Sequence, residues 1–282
     1  MVNPLSNLLG KALGYVPPWV TAWFRYDRFG SRLLRPVLDP LLPGGPSWAR
    51  VAFGPCRGRW LLLNLKTEKG FLTGRREEEF QEALSRAIQP GMSYWDIGAN
   101  VGFYTLLGSQ RAGPRGQVIA IEPDPENVRR LRAAVARNLL ENVQVVETAL
   151  SSCEGTMALE RSGPMSHLRM GQEKLTAAET ILVAVSTMEK LAERIGAPDV
   201  VKMDVEGAEI EVFRGMGPLL RERKPLFLVE FHSEELLAEA RKLLPDYEFH
   251  PIDPGGHWRL EPRNPGSAES SPVPLKTGCP NR

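Results

Sequence analysis

Residues 94–105 read YWDIGANVGFYT. A short apolar run, Ser93–Ile97, ends inside this segment, and a helical pattern starts at Phe103. Gly98 and Gly102 let the backbone turn tightly between the two and approach a ligand closely. Glu122 closes the next apolar run, 20 residues after Gly102. A carboxylate at that offset is positioned to accept hydrogen bonds from ribose hydroxyls. The dinucleotide fingerprint G-x-G-x-x-G fits poorly, because Asn100 holds the middle glycine position and Phe103 the last. No phosphate-cradling lysine pattern is present either. Asp96, two residues before Gly98, instead suits a cationic head such as the α-ammonium of a methionine moiety. The plainer alternative is a strand-to-helix turn with no ligand.

A second constellation lies at residues 200–209, VVKMDVEGAE. Lys202, Asp204 and Glu206 alternate, so on a continuous strand they share one face. A buried ammonium is costly unless paired. Lys202 is therefore expected either to pair with Asp96, Asp204 or Glu206 or to sit at a partly solvated strand edge. Glu230 and His232 alternate in the same way at the end of the next apolar run. Asp204, Glu206 and His232 are the candidate general bases, the last because an imidazole titrates near neutrality. His167 is a more distant candidate. Two carboxylates could hold a divalent cation, but no histidine joins the 204–206 motif. Metal independence is expected, and no metal ligand is assigned.

The elements needed to position these groups follow from the patterning. Residues 1 to about 50 read as helical pieces broken by prolines and ended by the Pro43-Gly44-Gly45-Pro46 cluster. Val51–Phe53 and Trp60–Leu65 read as a hairpin. Glu77–Ile88 reads as an amphipathic helix with Phe80, Leu84 and Ile88 on one face. Strands and helices then alternate: strands at Ser93–Ile97, Gln117–Ile121, Val143–Glu147, Val200–Asp204 and Leu226–Phe231, helices at Phe103–Gln110, after Asp124, from about Ala208, and over Glu234–Leu244. Asp124 followed by Pro125 is an N-cap and first-turn pair. Val128, Leu131, Val135 and Leu139 give that helix its apolar stripe. This order implies βαβ units on a parallel sheet. An insertion between Glu147 and Asp199 carries weak strands at Thr156–Leu159 and Ile181–Val185. Asp253-Pro254-Gly255-Gly256 marks a terminal hairpin between Tyr247–Ile252 and His257–Leu260.

Residues 94–105 resemble motif I of the FkbM family of methyltransferases, and residues 200–209 resemble that family's second hallmark. Gln117–Pro123 and Glu147–Ser151 are similar to its ribose and adenine elements. The resemblance covers about residues 70–245. It implies a class I Rossmann-like α/β fold, with a mostly parallel seven-stranded sheet and a terminal antiparallel hairpin. It also implies S-adenosylmethionine as cofactor and O-methylation of a small molecule or sugar. Carried onto this chain, the cofactor residues are Asp96, Gly98, Ala99, Asn100, Gly102, Glu122, Pro123, Thr148 and Ala149. One departure is visible: Thr187 is followed by Met188-Glu189, where family members often carry Leu-Asp. An Asn/Asp-Pro-Pro-Tyr-like loop is missing after the fourth strand, which disfavours methylation of amides and bases.

On this reading residues 1–66 form a helical and hairpin extension or lid, 67–261 the methyltransferase domain and 262–282 a disordered tail. Trp19, Trp23 and Phe24 beside Arg25, Arg28, Arg32 and Arg35 also fit an interfacial segment with peripheral membrane contact, but a packed lid is preferred. Hydrophobic residues make up 42% of the 282, enough for a real core. A formal net charge of +1 gives nucleic-acid binding no support. The three cysteines show no ligand spacing, and a reduced, cytoplasmic setting fits them. The expected partner is a small-molecule or glycan acceptor. The alternatives are a non-catalytic cofactor-binding subunit, a protein or RNA methyltransferase, and a nicotinamide oxidoreductase, which the missing glycine opposes.

Overall fold

The computed structural model describes residues 45–162, 165–168 and 179–263. The expected N-terminal helices up to residue 44 and the C-terminal tail from residue 264 lie outside them; residues 46–50, also expected to be helical, form a strand, and Pro262 still belongs to the last strand.

Strands β1 (Pro46–Arg50) and β2 (Trp60–Asn64) form an antiparallel hairpin. The first strand therefore precedes Val51–Phe53, where the sequence pattern placed it. A proline is tolerated as the first residue of an edge strand, so Pro46 can open β1. Helices α1 (Lys69–Thr73) and α2 (Glu78–Ala87) lead to β3 (Ser93–Ile97). The alternating part follows as α3 (Phe103–Ala112), β4 (Gln117–Glu122), α4 (Pro125–Arg137) and β5 (Val143–Glu147). The insertion comprises β6 (Ala149–Leu150), β7 (Gly155–Ser162), β8 (Met165–Leu168) and β9 (Glu179–Ser186). The chain continues through α5 (Met188–Ile195), β10 (Val200–Met203), α6 (Glu209–Arg214), α7 (Pro218–Arg223), β11 (Leu226–Glu230) and α8 (Glu234–Leu243). It closes with β12 (Tyr247–Pro251) and β13 (His257–Pro262).

The main sheet has seven strands in the order β12-β13-β11-β10-β3-β4-β5. The five strands β11 to β5 run parallel, and β13 joins β11 antiparallel. Strand order reverses between β3 and β10, which opens a crevice at their carboxyl ends. The insertion builds a separate four-stranded sheet, β6-β9-β7-β8.

Period-2 alternation sorts the sheet residues between two cores. Trp95, Ile97, Val201, Met203, Phe227 and Val229 pack with α5, α6 and α8 residues such as Leu191, Phe213 and Leu237. Tyr94, Val118, Val200 and Leu228 face Phe80, Leu84, Phe103 and Leu107, and the β1–β2 hairpin shares this cluster through Ala49, Leu61 and Leu63. Asp96 and Lys202 fall on that second face and sit opposite each other in the β3–β10 register.

The hairpin is also clamped to α4. Buried Arg130 donates Nε to the Leu62 carbonyl (2.9 Å) and Nη1 to Glu68 Oε1 (3.0 Å), while Glu68 Oε2 accepts from the Asn64 amide (2.7 Å). Asp124 caps α4 as expected, accepting from the Glu126 amide at 2.8 Å. The expected stripe holds for Val128 and Leu131 but fails at Leu139, which is 84% exposed. The helix stops at Arg137, because the Asn138 side chain pairs with both backbone groups of Trp60 (2.9 and 2.7 Å). Leu139 then takes a left-handed φ of 54° and turns outward. Leu139→Gln is expected to change unfolding free energy by less than about 0.5 kcal/mol. Leu131→Ala, on the buried side, should cost about 2–5 kcal/mol. Urea titrations of both variants check the pair, and a large loss at Leu139 contradicts the helix end described here.

Candidate active site

The turn after β3 is held from several sides. Gly98 and Ala99 both donate their amides to the Ile121 carbonyl at 3.0 Å. Gly98 has φ +73°, and a Cβ there would stand 1.8 Å from the Asp204 carbonyl oxygen. Gly102 has φ +94° and caps α3, where a Cβ would meet Leu131 Cδ1 at 2.5 Å. Asn100 also lies in the left-handed region, at φ 50°. Asparagine tolerates that region, which is how the chain dispenses with the middle glycine.

Beneath the turn lies a buried ion cluster. Lys202 Nζ is 3.4 Å from Asp96 Oδ1 and 3.9 Å from Asp204 Oδ2. It also donates to the carbonyls of Gly98 (2.8 Å) and Ile97 (3.3 Å). Burial alone would lower the ammonium pKa, but Asp96 and Asp204 hold it above the usual lysine value. Asp96 is fully buried, and its Oδ2 accepts from Thr105 Oγ1 at 2.6 Å. The expected pairing of Lys202 is thus met by two of the three named carboxylates.

A cleft of about 590 Å³, part of it open to solvent, lies over the switch point. Gly98, Asn100, Glu122, Pro123, Thr148 and Ala149 line it, together with Asp204 and Glu206. Asp96, Ala99 and Gly102 are not on its wall. Asp96 points into the protein toward Lys202, so the α-ammonium contact expected from its spacing is replaced by an internal ion pair. Ala99 and Gly102 shape the turn. The sequence reading missed Asn127, Leu150, Leu159 and Val205, which also line the cleft. Asn127 had a signal, since it sits in the first turn of the helix that Asp124 caps. Leu159 had none, because only the folded insertion carries it there.

Glu122 is buried and accepts from the amides of Asn100 (2.8 Å) and Asp124 (3.0 Å) and from Asn127 Nδ2 (3.3 Å). Burial raises its pKa to about 7 against these three donors. A carboxylate offers about four acceptor positions, so one remains for a ligand. Ile121, Leu150 and Leu159 supply apolar wall nearby.

Strand β10 ends at Met203, and Glu206 takes a left-handed φ of 52° before Gly207. The assumed alternation of Lys202, Asp204 and Glu206 on one strand face therefore stops at Asp204. Both carboxylates nonetheless reach the cleft. His232, not a wall residue, directs Nε2 at Glu206 (3.1 Å) and Asp204 (3.8 Å) and Nδ1 at Glu209 (2.7 Å). Hydrogen bonds to Glu206 and Glu209 raise its pKa to about 10. An imidazolium with both N–H groups engaged has no lone pair for a proton, so His232 does not fit the base expected of it. Burial moves Asp204 up to about 6, opposed by Lys202 and helped by Glu230 and Glu206. A neighbouring group joins Tyr104, Glu77, Glu230 and His257: Tyr104 Oη donates to Glu77 (2.5 Å), and His257 Nε2 lies 3.5 Å from Glu230. His167 falls on β8, with its side chain outside the described residues.

The Methyltransferase FkbM domain matches residues 96–251, more than half of the chain. The chain belongs to the FkbM methyltransferase family. Its methyl donor is S-adenosylmethionine, and the cleft offers what that molecule needs: a buried carboxylate with a spare acceptor position, apolar walls and a close backbone turn. The hexuronic acid methyltransferase AglP of Haloferax volcanii is 28% identical over 172 residues, covering 60% of this chain and 68% of that protein. An arsenite methyltransferase of Halobacterium salinarum is 40% identical over 58 residues, 21% of this chain and 15% of that one. A crystal structure of an FkbM methyltransferase from Methylobacillus flagellatus aligns over 68% of this chain with a TM-score of 0.44 and 18% identity. The chain spans about half, 52%, of that relative's length. Among the described residues no helix is long and apolar enough to cross a membrane.

Proposed function

We propose that this FkbM enzyme transfers the methyl group to a hydroxyl of a sugar or other small polyol, with Asp204 taking the hydroxyl proton. The observation that carries the reading is the Asp204 carboxylate. It stands on the cleft wall beside the glycine turn with its side chain 27% exposed, and burial raises its pKa to about 6. The exposed part of such a carboxylate is open to a substrate O–H. The sugar class draws support from the similarity to the hexuronic acid methyltransferase AglP. The bound cofactor supplies an electrophilic methyl on a sulfonium. The residues of this chain orient and desolvate. Glu122 accepts from the ribose, Thr148, Ala149, Pro123 and Leu150 enclose the nucleoside, and Gly98 and Asn100 bring backbone close to the donor. Aligned reactants in a dry pocket provide much of the acceleration, and a positioned base adds about 10²- to 10⁴-fold.

Incubating the protein with methyl-labelled cofactor and a panel of neutral and uronic sugars tests this. Label is expected on a sugar as an alkali-stable ether. Transfer to RNA or protein, or an alkali-labile ester on the sugar, would overturn the proposal.

Glu122 gives the binding step a pH dependence. Its folded pKa stands above the ordinary 4.5. Its own contribution to stability is therefore complete below pH 4.5 and lost as pH rises through about 7. Ribose hydroxyls donate to the ionised form, so cofactor affinity runs the opposite way. It is expected to strengthen from about pH 6 to about pH 8. Calorimetric titration at the two values reads the difference, and equal affinities would remove Glu122 from the site.

A further inference from the structure

We propose that Asp204, Glu230 and His232 form a binding site for a divalent metal ion of the Mn²⁺ kind at the acceptor side of the cleft. The expectation of metal independence rested on the absence of a histidine from the 204–206 motif. The fold supplies one from the next strand. One ligand atom from each of the three residues lies within 4.8 Å of the others. The placement follows from the sheet. Met203 pairs with Val229 in the parallel β10–β11 register, so Asp204 and Glu230 leave the two strands side by side, and His232 follows two residues on.

The donor set is two hard carboxylate oxygens and one imidazole nitrogen. Such a set suits Mn²⁺ or Zn²⁺ better than the all-oxygen shells of Ca²⁺. Three protein ligands leave open positions. Because Asp204 lines the cleft, those positions face the space where an acceptor would stand.

Two further observations point to an ion. The first is the support behind His232. Its Nδ1 is 2.7 Å from Glu209 Oε1, and the Glu209 side chain is 0% exposed. Metal-bound histidines characteristically donate the other ring N–H to a carboxylate, which fixes the ring and its tautomer. Here that contact presents Nε2 to Asp204 and Glu206. The second is unmet charge. Asp204 Oδ1 and Glu209 Oε2 are both shielded from water, and neither has a hydrogen-bond partner among the described residues. Four carboxylates, Asp204, Glu206, Glu209 and Glu230, crowd this corner. Lys202 reaches Asp204 only at 3.9 Å and is engaged with Asp96 and two carbonyls. His257 is shared between Glu230 and Asp253.

Without the ion, Nε2–H of His232 donates to Glu206. On binding, that proton leaves to solvent, Nε2 bonds the metal, and the net charge of the corner rises by one. Coordination through one Asp204 oxygen leaves the other free to take a substrate proton, so the site is compatible with the proposed base.

The test needs no methyl acceptor. Chelator-stripped full-length protein is titrated with Mn²⁺ and followed by electron paramagnetic resonance. One tightly held ion per chain is expected, with a ¹⁴N coupling in the pulsed spectrum from a directly bound imidazole. His232→Gln should abolish that coupling, and both His232→Gln and Glu230→Gln should weaken binding by at least about tenfold. Absence of stoichiometric Mn²⁺ binding by the folded wild-type protein overturns the proposal. So does a bound ion without ¹⁴N coupling, a result that stands even if a variant fails to fold. Either outcome leaves the methyl-transfer reading intact.

Discussion

Asp204→Asn is expected to lower kcat by about 10²- to 10⁴-fold while leaving affinity for S-adenosylhomocysteine unchanged. Asparagine keeps the size and the carbonyl oxygen but cannot accept the acceptor's proton. Asp204 stands on the cleft wall with its side chain 27% exposed. Burial and the neighbouring Glu230 and Glu206 raise its pKa to about 6 despite Lys202, so it remains ionised at neutral pH yet is a stronger base than an exposed aspartate. His232 cannot take over, since its two ring nitrogens are engaged by Glu206 and Glu209. Glu206, also on the wall, is tied to His232. Steady-state rates and calorimetry on the same preparation separate chemistry from binding. A variant that turns over at the wild-type rate would mean that another group takes the proton.

Lys202→Met is expected to destabilise the protein by about 3–5 kcal/mol, the cost of removing one partner of a buried ion pair. That is a large part of an ordinary domain's stability, about 5–15 kcal/mol. The loss arises because Asp96 is 0% exposed and, among the described residues, keeps Thr105 as its remaining hydrogen-bond partner. The same change frees the carbonyls of Ile97 and Gly98, so cofactor affinity should fall with stability. Adding Asp96→Asn should return much of the lost stability, because the stranded charge is gone, and this non-additivity is the signature of direct coupling. Urea denaturation of the two singles and the double reads it. Simple additivity would mean that Asp96 and Lys202 are stabilised independently.

Why the sequence disclosed some of this and not the rest has physical reasons. β3, β4, β5, β10 and β11 were legible because buried parallel strands are short unbroken apolar runs, and the terminal hairpin was legible from Asp253-Pro254-Gly255-Gly256. The Lys202 pairing was legible from the expense of a buried ammonium. What failed were inferences that carried a local period past its end. Leu139 continues the helical spacing, but Asn138 has already ended α4 by bonding to Trp60. Glu206 continues the strand alternation, but the backbone has turned at Met203. Asp96 had the right spacing for a ligand contact, yet spacing does not say which way a side chain faces; the β3–β10 register turns it toward Lys202. The groups that meet only through the sheet were invisible for a similar reason. Glu209 and His232 are 23 residues apart in sequence and 2.7 Å apart in space. Leu159 reaches the cleft only because the insertion folds back as its own sheet.

Titrating the purified chain with S-adenosylhomocysteine in a calorimeter is the most direct test that the cleft between Gly98 and Glu122 receives the methyl donor. One site per chain is predicted, and it should vanish in Gly98→Val, where any Cβ would collide with the Asp204 carbonyl at 1.8 Å. A folded wild-type protein that gives no heat with either this product or S-adenosylmethionine would contradict the assignment.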